Sequence, residues 1–140
     1  AFGGARSHDI SGGILQPADF NTKKDAENEA IRWQYQGRAY RINHISWWEQ
    51  EMPEQMEMER GWAMLEDEKY KVDFIFSHEC PVSDKAMIVG DGSPDALSSY
   101  LEEVKKKVDY KKWFFGHYHG NMMIPGGKDI LLYEQFIQIN

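Results

Sequence analysis

A chain of 140 residues that is 41% hydrophobic and 14% aromatic is long enough for one domain with a real core and too apolar to be disordered. Its formal net charge of −7 argues against non-specific binding to nucleic acid or to anionic membranes, and it has neither an apolar run of membrane-spanning length nor a signal-peptide pattern at its start. The single cysteine, Cys80, rules out an internal disulfide and fits a reducing, cytoplasmic compartment, and because Ala1 leads into "FGGARSHD" without an initiator Met, the chain is expected to be part of a longer protein.

The opening "AFGGARSHDISGG" is glycine-rich and reads as loop. Periodicity is weak over 14–45, although "DAENEAIRWQYQG" (25–37) predicts a helix closed by Gly37. "AYRINHISWW" (39–48) alternates and is rich in aromatic and β-branched residues, which predicts a strand or extended segment. From Pro53, "PEQMEMERGWAMLEDEKY" predicts a helix whose Met58, Trp62 and Leu65 fall at i, i+4 and i+7, a core stripe rather than a soft-metal site. "KVDFIFSHECP" carries Val72, Phe74, Ile75 and Phe76, a buried strand that ends at Ser77-His78 and is closed by Pro81.

"DGSPDALSSYLEEVKKKV" predicts a helix with Ser93 as N-cap, Pro94 at the first position, Asp95 in the first turn and lysines near its end. Leu97, Leu101, Val104 and Val108 form its apolar face. A strand over 112–116, the short strand "NMMI", the turn "PGGKD" and a last strand "ILLYEQFIQI" complete an α/β pattern.

The chemistry concentrates in "WFFGHYHG" (113–120), where an apolar strand runs into His117-Tyr118-His119 with Gly116 and Gly120 supplying backbone freedom on either side. Imidazoles at i and i+2 on a loop past a strand can aim at one point, as metal ligands do, although solvated histidines at a strand end give the same pattern. His78 strengthens the case. It too follows a buried strand, one crossover helix earlier, and a strand-helix-strand unit puts two parallel neighbours with their carboxyl ends on one edge. Ligands bind at that edge of open α/β sheets, so His78, His117 and His119 are expected to converge there as a metal site.

Together, "FIFSHECP" and "WFFGHYHG" resemble the last two signature blocks of the calcineurin-like metallophosphoesterases, binuclear metal-dependent phosphatases, and "GGARSHD" with "ISWWEQEMP" is similar to a region upstream of those blocks in bacterial members. The resemblance runs over nearly the whole chain and is least clear over 10–40. It implies that His78 and His117 ligate one metal and His119 the other. Tyr118 stands where threonine is common, and its ring could narrow the site or stack on a substrate. The family's Asp-x-His, Gly-Asp-x-x-Asp and Gly-Asn-His-Asp/Glu blocks are not in the 140 residues. "GDGSPD" has its second Asp one position too late, and in "GNM" Met122 stands where His is needed.

The resemblance therefore implies the C-terminal half of a metallophosphoesterase-type α-β-β-α sandwich, mixed sheets flanked by helices. The full enzyme would be a phosphoester hydrolase using two divalent ions (Mn, Fe or Zn), with the bridging aspartate and catalytic histidine lying outside this chain. Two cations roughly 3.5–4 Å apart need an anionic bridge, which three imidazoles cannot supply. Alone, the chain is expected to hold at most one ion weakly, since three His plus water is a zinc arrangement, and to be inactive. Its partners are expected to be a phosphoester substrate, the missing N-terminal half of the same protein, and a second copy meeting it through uncovered strands at Val72, Phe74, Phe76, Trp113 and Phe114.

Elsewhere the plainer reading is preferred. Cys80 is expected to be a small buried hydrophobe, Trp47 and Trp48 core, His44 a structural strand residue and His8 exposed loop. Ser7 and Asp9 face the site or bond within their loop, and Glu49 and Glu51 either help the site or, as the default, form a solvated acidic run. The competing reading is a non-catalytic α/β metal-binding or scaffold domain. A cupin-like H-x-H site fits poorly, because Met122, Met123 and Ile124 follow where a Glu is wanted.

Overall fold

Thr22 starts the first helix. Its hydroxyl accepts the Asp25 amide at 3.2 Å while the Asp25 carboxylate accepts the Thr22 amide at 3.1 Å, a reciprocal cap that opens α1 (Lys23–Tyr35) two residues ahead of the expected start. Gly37 follows its end in the left-handed region, φ +68°. The computed structural model describes residues 1–139, which form two compact units, one of residues 6–51 and one of residues 1–5 with the chain from Met52 onward.

In the 6–51 unit, α1 connects β1 (Gly13–Leu15) to a parallel partner, β2 (Tyr40–Ile42). β1 lies in the stretch read as loop and weak periodicity. Gly12 is required beside it, because a Cβ there would stand 2.8 Å from the Ala39 carbonyl oxygen and 3.2 Å from the Trp33 ring. The strand expected over 39–48 stops at Ile42, whose carbonyl accepts the amides of Ile45, Ser46 and Trp47 and curls the chain into a turn. His44 is consequently an exposed turn residue at φ +58°, not a strand residue, and Trp48 is 47% exposed rather than core.

In the larger unit, α2 (Gln55–Asp67) turns Met58, Trp62 and Leu65 onto the hydrophobic core, as the spacing predicts. β3 (Lys71–Ser77) follows, then α3 (Val82–Val89), α4 (Ala96–Lys107), β4 (Asp109–Phe115), β5 (Met122–Met123) and β6 (Asp129–Leu131). The sheet order is β3-β4-β6-β5, with the first three strands parallel and β5 antiparallel. The architecture is mixed α/β, and β3 and β4 are parallel neighbours as expected. The crossover between them has two helices. Pro81, read as a terminator, stands at the N-cap of α3, which ends at Gly90, φ +73°. The N-cap of α4 is Asp95, not Ser93: Asp95 accepts the Ser98 amide at 2.8 Å, while Ser93 turns back onto Asp91.

The apolar face of α4 is the expected one, with Leu97, Leu101, Val104 and the following Val108 all buried. Each such side chain contributes about 1.5–3 kcal/mol over an exposed position. Of the strand residues expected to lie uncovered, Trp113 and Phe114 are buried and Val72 and Phe74 half-buried; only Phe76 is open, at 43%, stacked on Phe114. The last strand is β6 alone. The Asn121 side chain accepts the Tyr133 and Glu134 amides, which satisfies them without a strand partner. Among the described residues no helix is long and apolar enough to cross a membrane.

One charged group ties the helices to the sheet. Lys105 Nζ of α4 lies 2.5 Å from Asp84 Oδ1 of α3 and 2.8 Å from Asp129 Oδ2 of β6, and the Tyr110 hydroxyl of β4 donates to Asp129 at 2.8 Å. Burial pushes Asp84 above the ordinary carboxylate value, and burial alone would lower Lys105, but its hydrogen bonds to Asp129 and Asp84 hold it above the ordinary lysine value. Both shifts mean that the folded chain binds these protons more tightly than the unfolded chain. The Asp84 contribution to stability is therefore complete below its ordinary value and fades as pH rises through the raised one; the Lys105 contribution fades only as pH rises through the raised lysine value. Replacing Lys105 by Met leaves two buried carboxylates without their cation and is expected to cost about 3–5 kcal/mol in urea denaturation at neutral pH. A loss under about 1 kcal/mol, the scale of an exposed pair, would contradict the assignment.

Candidate metal site

The register of β3 on β4 runs to Ser77 opposite Phe115, so both strands end level. One further bond, from the Gly116 amide to the His78 carbonyl at 3.2 Å, carries the ladder past the strand ends. It sets the next two imidazoles side by side: the His78 and His117 rings are 5.2 Å apart and meet edge to face at 71°. Both sit at the carboxyl edge of the parallel pair, as the strand-helix-strand pattern predicts. His78 is exposed, whereas the His117 side chain is only 10% exposed.

The loop that carries His78 is anchored from behind. Trp113 Nε1 donates to Ser77 Oγ at 2.8 Å, and Ser77 Oγ donates to the Glu79 carbonyl at 2.6 Å. Glu79, which sequence reasoning passed over, is 1% exposed. Its Oε1 accepts the Cys80 amide at 2.8 Å and the Tyr118 hydroxyl at 2.6 Å, and its Oε2 lies 4.0 Å from His117 Nε2. The available signal was position: a carboxylate beside a strand-end histidine in "SHECP" is cheap to bury only where donors await it.

Tyr118 has a structural part. Its ring meets His117 edge-on at 4.9 Å and its hydroxyl donates to Glu79 at 2.6 Å. Burial, and then the bond to Glu79, push the Tyr118 phenol well above its ordinary value and keep it a neutral donor. Burial likewise pushes the Cys80 thiol up, with Glu79 and Asp84 adding to the effect, so Cys80 is the inert buried hydrophobe expected and no thiolate nucleophile.

The freedom assigned to Gly116 and Gly120 is used by the histidines themselves. His117 is at φ +68° and His119 at φ +47°, and neither glycine has a positive φ. Left-handed non-glycine residues cost about 1–2 kcal/mol each, and such strain is concentrated at functional loops. His119 points its ring onto Tyr133, stacked at 5.0 Å and 23°. The structure thus brings His78 and His117 together and holds His119 against a separate aromatic. Among the described residues, no group of three or more His, Cys, Asp or Glu is arranged to hold a metal ion.

The remaining candidates lie in the 6–51 unit and bond within it. The Ser7 amide and hydroxyl donate to the Glu51 carboxylate at 2.9 and 2.7 Å, and Trp47 Nε1 joins them at 2.7 Å, which makes Glu51 the hub of "GGARSHD" and "ISWWEQEMP" rather than a solvated acid. Asp9 pairs with Arg41, whose hydrogen bond holds the Asp9 carboxyl below the usual range. His8 and Glu49 are exposed. Comparison with protein-family models, with curated proteins and with solved structures returned no match.

The donor chemistry fits a borderline divalent cation in part. Two adjacent imidazoles are ligands suited to zinc, iron, copper or nickel, and four-coordinate zinc needs two more. His117→Ala is expected to lower zinc retention through gel filtration at least about tenfold, the smaller end of what a perturbed metal site costs, while His44→Ala retains it. Equal loss in both variants would contradict the assignment.

Proposed function

We propose that this chain supplies the C-terminal metal-ligand histidines of a metal-dependent phosphoester hydrolase of the calcineurin-like type, working in the cytoplasm. The observation that carries the reading is the His78–His117 pair, level at the carboxyl edge of parallel β3 and β4 and braced by a buried shell. His78 and His117 would hold one ion and His119 a second. His78 and His119 are both exposed.

When bound, the ions would supply Lewis-acid polarisation of the phosphoryl oxygens and a hydroxide nucleophile. The part played by this chain is to hold imidazole nitrogens ready. The strand ladder fixes His78, the strained loop fixes His117, and the indole of Trp113 locks the turn between Ser77 and Glu79. In this reading the bridging carboxylate and the histidine that assists the leaving group come from the blocks that the 140 residues lack. A second reading, a non-catalytic metal-binding or interaction domain, draws support from the stacking of His119 on Tyr133, away from the His78–His117 contact.

The experiment is phosphomonoester and phosphodiester hydrolysis by the chain alone and by the chain complemented with a polypeptide carrying the missing blocks, each with Mn²⁺ or Zn²⁺. Without its general acid the chain alone is expected to fall short of the complemented form by roughly 10²–10⁴-fold, and His119→Ala should abolish the complemented activity. Full turnover by the chain alone would contradict the division of ligands. No turnover in either form would favour the non-catalytic domain.

A further inference from the structure

β4 covers one side of β3, and Phe2 begins to cover the other. The Phe2 amide donates to the Phe76 carbonyl at 2.8 Å, and the Phe2 carbonyl accepts the His78 amide at 3.2 Å, an isolated parallel bridge opposite Ser77. Phe2 is firmly seated, with its ring 5.2 Å from that of Tyr100 and packed on the core. Backbone groups alternate in direction along a strand, so Val72 and Phe74 turn their N–H and C=O groups the same way as Phe76, away from β4. Among the described residues, none of these outward groups of Val72 and Phe74, nor the Phe76 amide, has a hydrogen-bond partner. Open edges are normally blunted by proline, a bulge or charge. β3 carries charge toward its amino end, at Lys71 and at Asp73, which pairs with Lys111 at 2.7 Å. Toward its carboxyl end the edge presents Phe74 and Phe76, the latter 43% exposed.

We propose that the outer edge of β3 is a strand-docking site. Its occupant is an extended peptide segment, not among residues 1–139, that runs parallel to β3 in line with Phe2 and is held through its backbone. The bridge fixes the register. In the docked strand, the position one step ahead of Ala1 falls beside Ile75, where its N–H meets the Phe74 carbonyl and its C=O meets the Phe76 amide. Two positions further back, the same exchange is made with Val72 and Phe74. The position between them stands beside Phe74, so the segment is apolar on both faces there and tolerates a polar residue beside the exposed Asp73. Such a strand reaches the carboxyl edge of the sheet through Phe2, whose carbonyl holds the His78 amide.

The test is amide hydrogen exchange, read by NMR, on three proteins: the 140-residue chain, the chain with Val-Thr-Val-Val joined ahead of Ala1 as a tethered probe, and the chain with Val-Pro-Val-Pro joined there. The two probes differ only at the positions whose N–H groups would donate to Val72 and Phe74. In the unextended chain the Phe74 and Phe76 amides are expected to exchange faster than that of Ile75, which faces β4. Val-Thr-Val-Val should slow both at least about fivefold, the factor for one hydrogen bond of typical net strength, and Val-Pro-Val-Pro should not. Equal rates in all three proteins would overturn the proposal, as would equal slowing by the two probes. Slowing in the unextended chain that grows with its concentration would also overturn it, because a second copy would then be the occupant. Should an extended chain fail to fold, the unextended chain decides: Phe74 and Phe76 amides as slow as that of Ile75 in dilute solution would show the edge already closed and overturn the proposal.

Discussion

The level ending of β3 and β4 is the constraint from which the rest of the site follows. Parallel strands cannot be joined by a tight turn, so their carboxyl ends and the loops beyond them are set side by side only because the crossover through α3 and α4 packs back on the sheet. Ser77 opposite Phe115 fixes the register, and a slip of one residue would turn His78 to the other side of its strand. Trp113 guards against that slip. It is fully buried and its indole nitrogen reaches across to Ser77, so core packing and loop position are one interaction.

Two buried polar networks accompany that core. Asp84, Lys105, Asp129 and Tyr110 join α3, α4 and two strands, with a single ammonium serving two carboxylates. Glu79, Tyr118 and His117 join the two loops at the strand ends. Such networks add little net stability compared with apolar packing, but removing one member strands the others in a dry interior. They specify one arrangement, which is what a ligand site needs from its supporting shell.

Much of this was legible in the sequence where periodicity was strong. The apolar face of α4 and the Met58, Trp62, Leu65 stripe of α2 are where their spacing puts them, and the parallel pair ending in His78 and His117 follows from two apolar runs and a helix. The misses share a cause: a local hydrogen bond outbid the pattern. Ser46 and Trp47 fold back on the Ile42 carbonyl and end β2 early, Ser98 draws the cap of α4 from Ser93 to Asp95, and Asn121 takes the amides that would have extended β6. Glu79 was missed for a different reason. Its place beside His78 in "SHECP" marked it as a candidate, but the partner that makes it cheap to bury, Tyr118, is 39 positions away.

The proposed metal centre requires that the two imidazoles share an ion. Crystals soaked in zinc and measured at wavelengths on both sides of the zinc absorption edge would show it directly. The expected result is one anomalous peak about 2.0–2.1 Å from a nitrogen of His78 and a nitrogen of His117, the Zn–N bond length. A peak seated elsewhere on the chain, with the two rings still edge to face and unligated, would contradict it.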